Sequence, residues 1–226
     1  MAFFLLLVML ATCAAVPEDL SDKMLTFPQE TKTANVKVTT SVQDFRAVTV
    51  CLRSITDLRR DHTLFSLATP SHPNAFSIFW VTSTNLFLVG VGQPFTRFGA
   101  LDYKLNEWHS ICATWNSASG LVQLWVDGKP SIRKYIGGSR ISRPSVILGQ
   151  EQDSYGGGFD IKQSFVGMLS DVHMWDYVIS PREIQRYMDD RYFTPGNAIN
   201  WRALECRITG RVLNEDKQVP CVVSSH

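Results

Sequence analysis

Residues 108–128 read W-H-S-I-C-A-T-W-N-S-A-S-G-L-V-Q-L-W-V-D-G. Trp108 to Trp115 and Val122 to Val126 are short runs rich in aromatic and β-branched residues, the composition of strands. Ser119-Gly120 separates them, and Asp127-Gly128 follows the second run directly, a strong cue for a tight hairpin. The same rhythm extends in both directions. Val36-Lys37-Val38 alternates as a strand with one wet face. Further strands are expected at 47–52, 64–68, 76–81, 86–91, 145–148 and 165–175. The segment T-P-S-H-P-N (69–74) and the pair Gly137-Gly138 supply turns. Trp201 and residues 204–212 read as a last strand that rejoins the sheet late. One helix interrupts the series. Ser180-Pro181-Arg182-Glu183 places Ser at the N-cap, Pro at N1 and Glu at N3, a capping box, and Ile184, Tyr187 and Met188 then recur at helical spacing. Many short strands, frequent turns and one helix in the C-terminal half predict an all-β fold, a two-layer antiparallel jelly-roll sandwich of lectin-like type.

The chain has 226 residues and a formal net charge of +1, so it carries no electrostatic footprint for nucleic acid or an anionic membrane. Residues 1–15 form an apolar run ending in small residues, as in a secretory signal peptide, and the run is too short to span a bilayer. Residues 16–226 are then expected to be one secreted, extracellular domain with a C-terminal tail, not embedded in a membrane. Without Cys13 four cysteines remain: Cys51, Cys112, Cys206 and Cys221. Four cysteines allow three connectivities, and an extracellular setting favours oxidation. The expected pairs are Cys51–Cys112, closing a loop of roughly 60 residues, and Cys206–Cys221, pinning the tail. An intersubunit bridge or a free thiol at Cys221 is the alternative. No Asn-x-Ser/Thr sequon is present.

The chemistry concentrates in residues 150–163, Q-E-Q-D-S-Y-G-G-G-F-D-I-K-Q. Glu151, Asp153 and Asp160 bracket Gly156 to Gly158, with amides on Gln150, Gln152 and Gln163. Hard oxygen donors without Cys or His suit Ca2+, which takes six to eight oxygens in flexible geometry. The glycines let the chain turn back so that Asp160 and Gln163 can rejoin Glu151 and Asp153. A solvated polar hairpin is the competing reading of the same composition. The spacing is not that of an EF-hand. Two nearby acids also raise a jelly-roll glycoside hydrolase. The glucanase pattern E-x-D-x-x-E is broken, however, because Gly156 stands where the second glutamate belongs. No G-x-S-x-G occurs, and His62, His72, His109, His173 and His226 show no metal spacing. The chain is read as no enzyme. Trp80, Trp115, Trp125, Trp175 and Trp201 are read as core.

The strand 110–117 (S-I-C-A-T-W-N-S), V-D-G-K-P (126–130), I-L-G-Q-E-Q-D-S-Y-G-G (147–157) and N-W-R-A-L (200–204) resemble the pentraxins, the short pentraxins in particular, over about residues 24–210. Ser110 stands at the family's His position before the second cysteine, with His109 one residue earlier. The resemblance implies a jelly roll with the helix on one face and ligand sites on the other. It also implies a cyclic homo-oligomer, usually a pentamer, and two adjacent calcium ions per subunit. On that basis Glu151, the backbone oxygen of Gln152, Asp153, Asp160 and Gln163 are metal ligands. Asp160 replaces the usual Glu, one methylene shorter. The family's earlier Asp-Asn pair aligns with Pro73-Asn74, so Asn74 keeps an amide oxygen and one carboxylate is lost. Phe79 aligns with the aromatic wall that receives the choline of phosphocholine. The family's acid near that choline falls at Gln93 or Pro94, with Asp102 and Glu107 as later acids. The function implied is calcium-dependent pattern recognition of phosphocholine-like or other anionic groups on cell surfaces in innate immunity, with complement as an effector partner. A calcium-free structural ring subunit is the alternative.

Overall fold

The computed structural model describes residues 16–93 and 95–218. The expected signal peptide and Cys221 lie outside the described residues, and no helix within them is long and apolar enough to cross a membrane.

Two antiparallel sheets face each other. The first runs Lys129–Pro130, Leu121–Val126, His109–Asn116, Ala47–Ile55, Gly167–Trp175, Lys23–Phe27 and Leu213–Asp216, with Lys134–Tyr135 also paired to Leu121–Val126. The second runs Cys206–Thr209, Asn35–Val38, Ser145–Leu148, His62–Thr69, His72–Val81, Leu86–Gly90 and Phe95–Phe98. The two-layer jelly roll is as expected. Three details differ. The segment 69–74 is mostly strand: Thr69 pairs with His72, and the turn shrinks to Pro70-Ser71. Phe95–Phe98 and Leu213–Asp216 are strands where none was expected. The late segment divides into a short 3-10 turn at Trp201–Ala203 and the strand Cys206–Thr209, which pairs with Asn35–Val38.

Ala47–Ile55 is buried along most of its length because both of its faces are covered. Val48, Val50 and Leu52 meet the opposing sheet. Cys51, on the other face, packs beneath the helix Pro181–Met188 together with Cys112, Trp125, Trp175, Ile184, Tyr187 and Phe193. Cys51 and Cys112 stand directly opposite each other in register and are disulfide-bonded, as expected. The five tryptophans read as core are buried.

Only half of the predicted capping box forms. The Ser180 hydroxyl accepts from Glu183 N–H at 3.2 Å. The Glu183 carboxylate turns away, to Arg186 at 2.6 Å and to Thr194 N–H at 3.1 Å. An ion pair one turn along and a free N–H on the returning chain outcompete the Ser180 amide.

His109 and Ser110 point to opposite faces of their strand, as adjacent strand residues must. The His109 ring lies 4.7 Å from that of Tyr103 in the interior and bonds Asp127 at 2.6 Å. It therefore does not stand in for the family histidine at position 110.

Burial holds two other histidines neutral. His62 and His173 are fully enclosed, and burial lowers each from 6.5 to about 4. Unfolded imidazoles protonate below about 6.5 while these resist, so their contribution to stability is complete above pH 6.5 and is lost as pH falls toward 4. Each is worth up to about 3 kcal/mol on that basis. The imidazole NMR resonances of His62 and His173 should titrate well below pH 6. An inflection near 6.5 for either would contradict this environment.

Candidate metal centre

The strand Ser145–Leu148 ends at Gly149, and the Gly149 carbonyl accepts from Phe165 N–H at 3.0 Å, closing the base of the acidic loop. Inside the loop, Gln152 is wholly buried. Its amide nitrogen donates to the Ser66 carbonyl (3.1 Å) and the Ser145 carbonyl (3.0 Å), and its amide oxygen accepts from Gly156 N–H (2.9 Å). Gln150 is likewise turned inward, donating to the carbonyls of Thr31 and Ala34, both at 2.8 Å. Both side-chain amides fasten the loop to the sandwich through their N–H groups; the Gln152 oxygen is taken by Gly156, while Gln150 Oε1 has no hydrogen-bond partner among the described residues. Burial excludes a side-chain donor role for Gln152, because both ends of its amide are already bonded within the protein. The role expected of Gln152 through its backbone oxygen does not conflict with this.

Beyond Gln152 the loop doubles back. Ser154 and Gly157 exchange backbone hydrogen bonds of 3.1 and 3.0 Å, and Gly156 and Gly158 take φ of +77° and +75°. Asp160 then caps a single turn, Ile161–Gln163, its Oδ1 accepting from Lys162 N–H at 3.0 Å.

The bend leaves Asp153 and Asp160 near enough to Glu151 to act on its charge. Glu151 is only 5% exposed. Burial, followed by the negative charge of Asp153, raises its carboxyl to about 7; Asp160 adds in the same direction and the Asn74 amide pulls the other way. Asp153 and Asp160 are exposed, while Asn74 and Gln163 are half-buried. Two acceptors in this group, Glu151 Oε2 and Asn74 Oδ1, are buried with no hydrogen-bond partner. Other buried side-chain oxygens also lack partners, Gln150 Oε1 and Ser145 Oγ beside the loop among them, so these two count for the carboxylates near them rather than for being open. A carboxylate oxygen and an amide oxygen left open beside two further carboxylates suit a hard cation. No three His, Cys, Asp or Glu side chains among the described residues are gathered closely enough to hold a metal on their own. The expected donor set relies equally on amide and backbone oxygens. Pro73, exposed beside Asn74, offers no side-chain donor.

Phe79 lies on the face that the loop covers. Ser66, held by Gln152, is paired with Ser77, and side chains two residues apart on a strand share a face. Phe79 is half-buried and opposite Leu88. On this face the Phe95 ring folds over Gly90, filling the space that a Cβ there would need. Sequence reading passed over Phe95; its signal was an aromatic residue five positions after a strand-ending glycine. Asp102 and Glu107 turn to Lys104, at 3.4 and 3.8 Å. Cys206 is half-buried, and its expected partner Cys221 is outside the described residues.

The Pentaxin family model matches residues 23–215. C-reactive protein of Rattus norvegicus is 44% identical over 198 residues, 86% of this chain and 85% of that protein. Serum amyloid P-component of Mus musculus is 37% identical over 198 residues, 86% of this chain and 87% of that protein. Among solved structures, the heptameric SAP-like pentraxin from Limulus polyphemus superposes with a TM-score of 0.78 at 25% identity, covering 88% of this chain and 96% of that one. The match spans the sandwich, the helix and the acidic loop together, and the chain belongs to the pentraxin (Pentaxin) family.

Proposed function

We propose that this chain is a secreted, calcium-dependent recognition protein of innate immunity that captures phosphocholine-like and other anionic surface groups as one subunit of a ring. The observation that carries this reading is the pair of open, buried oxygens, Glu151 Oε2 and Asn74 Oδ1, beside Asp153 and Asp160. Glu151, Asp153, Asp160, Gln163, Asn74 and the Gln152 backbone oxygen would hold calcium. Bound calcium would supply positive charge and open coordination positions to a phosphate or carboxylate. Phe79 offers an aromatic surface for a weakly hydrated ammonium group. Gln152 and Gln150 hold the loop so that the acids stay together without an ion. The mutual repulsion of those acids, with Glu151 buried, leaves the cluster poised for a cation.

Two features weaken one part of the site. Pro73 supplies no carboxylate, and Asp160 already uses one oxygen on Lys162 N–H. Fewer charged ligands lower calcium affinity. These same features favour the second reading, a ring subunit that functions without calcium. Ring assembly draws support from family membership and from the heptameric relative. A ring of sites facing one way multiplies weak single-site binding through effective concentration. Complement engagement is an implication of the family. Recognition is favoured over glycoside hydrolysis because Gly156 stands where the jelly-roll glucanase pattern needs its second glutamate.

Isothermal titration tests the reading. Calcium should give a saturable heat. Phosphocholine and phosphoethanolamine should gain a calcium-dependent binding heat, and EDTA should abolish it together with the calcium heat. Asp153→Ala should remove the calcium heat and leave the circular dichroism spectrum unchanged. A flat calcium titration of the native protein would favour the calcium-free ring.

A further inference from the structure

Beside the metal loop lies an open cavity of about 310 Å³. One wall is the tight turn carrying Ser71 and His72, with Gly92 next to it; the other is the segment carrying Ser139, Arg140 and Arg143. Its charged and titratable lining is His72, Arg140 and Arg143, and among the described residues no carboxylate lines it. Arg140 is held from behind by Asp44, which also accepts from the Ser142 hydroxyl at 3.2 Å. Arg143 is exposed and makes no ion pair among the described residues. Its backbone is fixed: φ is +54°, and its N–H donates to the Gln43 carbonyl at 2.8 Å. The Ser71 hydroxyl lies 2.9 Å from His72 Nδ1. The cavity thus offers an unpaired guanidinium, a second guanidinium, an imidazole and hydroxyl groups, the donors that recognise a tetrahedral or planar oxyanion.

Both walls run into the metal loop. Gly92 N–H donates to the carbonyl of Asn74 at 2.8 Å. Ser145, two residues beyond Arg143, accepts the amide of Gln152. Pro73, which separates His72 from Asn74 in the chain, brings no carboxylate to this end of the strand. We propose that this cavity is a second anion subsite, and that the preferred ligand carries two anionic groups, one for the metal loop and one for Arg143, Arg140 and His72. The bridging half of this proposal rests on the calcium reading above; the anion subsite does not.

The experiment therefore has two arms. In EDTA, inorganic phosphate should shift the His72 imidazole NMR resonance saturably, and Arg143→Gln should abolish the shift. In calcium, α,ω-alkanediol bisphosphates of graded length are compared with the matching monophosphates by calorimetry. A bisphosphate of matched length should bind roughly tenfold tighter than its monophosphate, the gain expected when a second contact becomes intramolecular. Arg143→Gln should erase that gain and leave calcium binding and the calcium-dependent part of monophosphate binding unchanged. Arg143→Lys should retain part of it, since a point charge replaces a planar fork. No phosphate shift in EDTA overturns the subsite. A bisphosphate gain absent at every length, or Arg143→Gln weakening the monophosphate equally, overturns the bridging ligand. Loss of the calcium heat in the native protein instead counts against the metal reading, while the EDTA arm still decides the subsite.

Discussion

Glu151→Gln is expected to stabilise the calcium-free protein by about 1–3 kcal/mol, the cost of an unsatisfied buried polar group. The same change should weaken calcium binding at least roughly a hundredfold, more than loss of a group that only supports a ligand. The two effects have one cause. Glu151 is 5% exposed, its Oε2 has no hydrogen-bond partner, and Asp153 and Asp160 repel its charge. Glutamine keeps the shape, removes the charge and brings an N–H₂ that can donate to the neighbouring oxygens. In EDTA the urea midpoint should rise. In calcium the native protein should gain stability by ligand linkage and the variant should not, so the order of the two proteins reverses. A residue present only to build the loop behaves differently: its loss destabilises in both buffers. Should Glu151→Gln lower the midpoint in EDTA, or leave calcium affinity intact, the carboxylate is structural and the metal reading fails at its centre.

What sequence revealed of this molecule, and what it hid, follows from where the energy of each element comes from. The hairpin across 109–126 and the strand at 47–52 were legible because their side chains are buried, and burial writes itself as apolar pattern. Leu213–Asp216 was not, since all four residues are exposed. That strand is held by backbone pairing to Lys23–Phe27 and by ion pairs such as Lys23 with Asp216 at 2.5 Å, neither of which has a periodic signature. Pro73 was read as part of a long turn. It sits instead near the first residues of a strand, where a missing N–H is tolerated. The acids of the loop were legible by type. The inward roles of Gln150 and Gln152 were not, because an amide serves equally as metal ligand or internal brace, and only burial separates the two. The cavity lined by Arg140 and Arg143 was invisible for a related reason: its walls come from segments about seventy residues apart.

Gly149→Ala should cost about 2–5 kcal/mol and disable the loop. Gly149 has φ of +86°, a left-handed conformation that costs an L-residue about 1–2 kcal/mol. A Cβ there would stand 2.2 Å from Phe27 Cε1 and 2.6 Å from Cδ1. Phe27 cannot easily give way: it is 2% exposed and packs edge-on against Phe165, with ring centroids 5.8 Å apart. Overpacking of this kind adds about 1–3 kcal/mol. Relief must then come from the backbone, and the Gly149 carbonyl is the bond that closes the base of the acidic loop on Phe165. Moving it displaces Glu151, two residues on. Gly156→Ala separates strain from collision. Gly156 shares the left-handed conformation, at φ +77°, but the nearest heavy atom to an added Cβ is Ser145 Oγ at 3.7 Å, an ordinary contact. It should lose about 1–2 kcal/mol, the conformational part alone. Urea denaturation of both variants, with calcium titration alongside, reads the difference. If Gly149→Ala proves as mild as Gly156→Ala, then Phe27 does not wall the loop in. The acids would then be held together by the bend at Gly156 to Gly158 and the Gln152 brace, without help from the core beneath them.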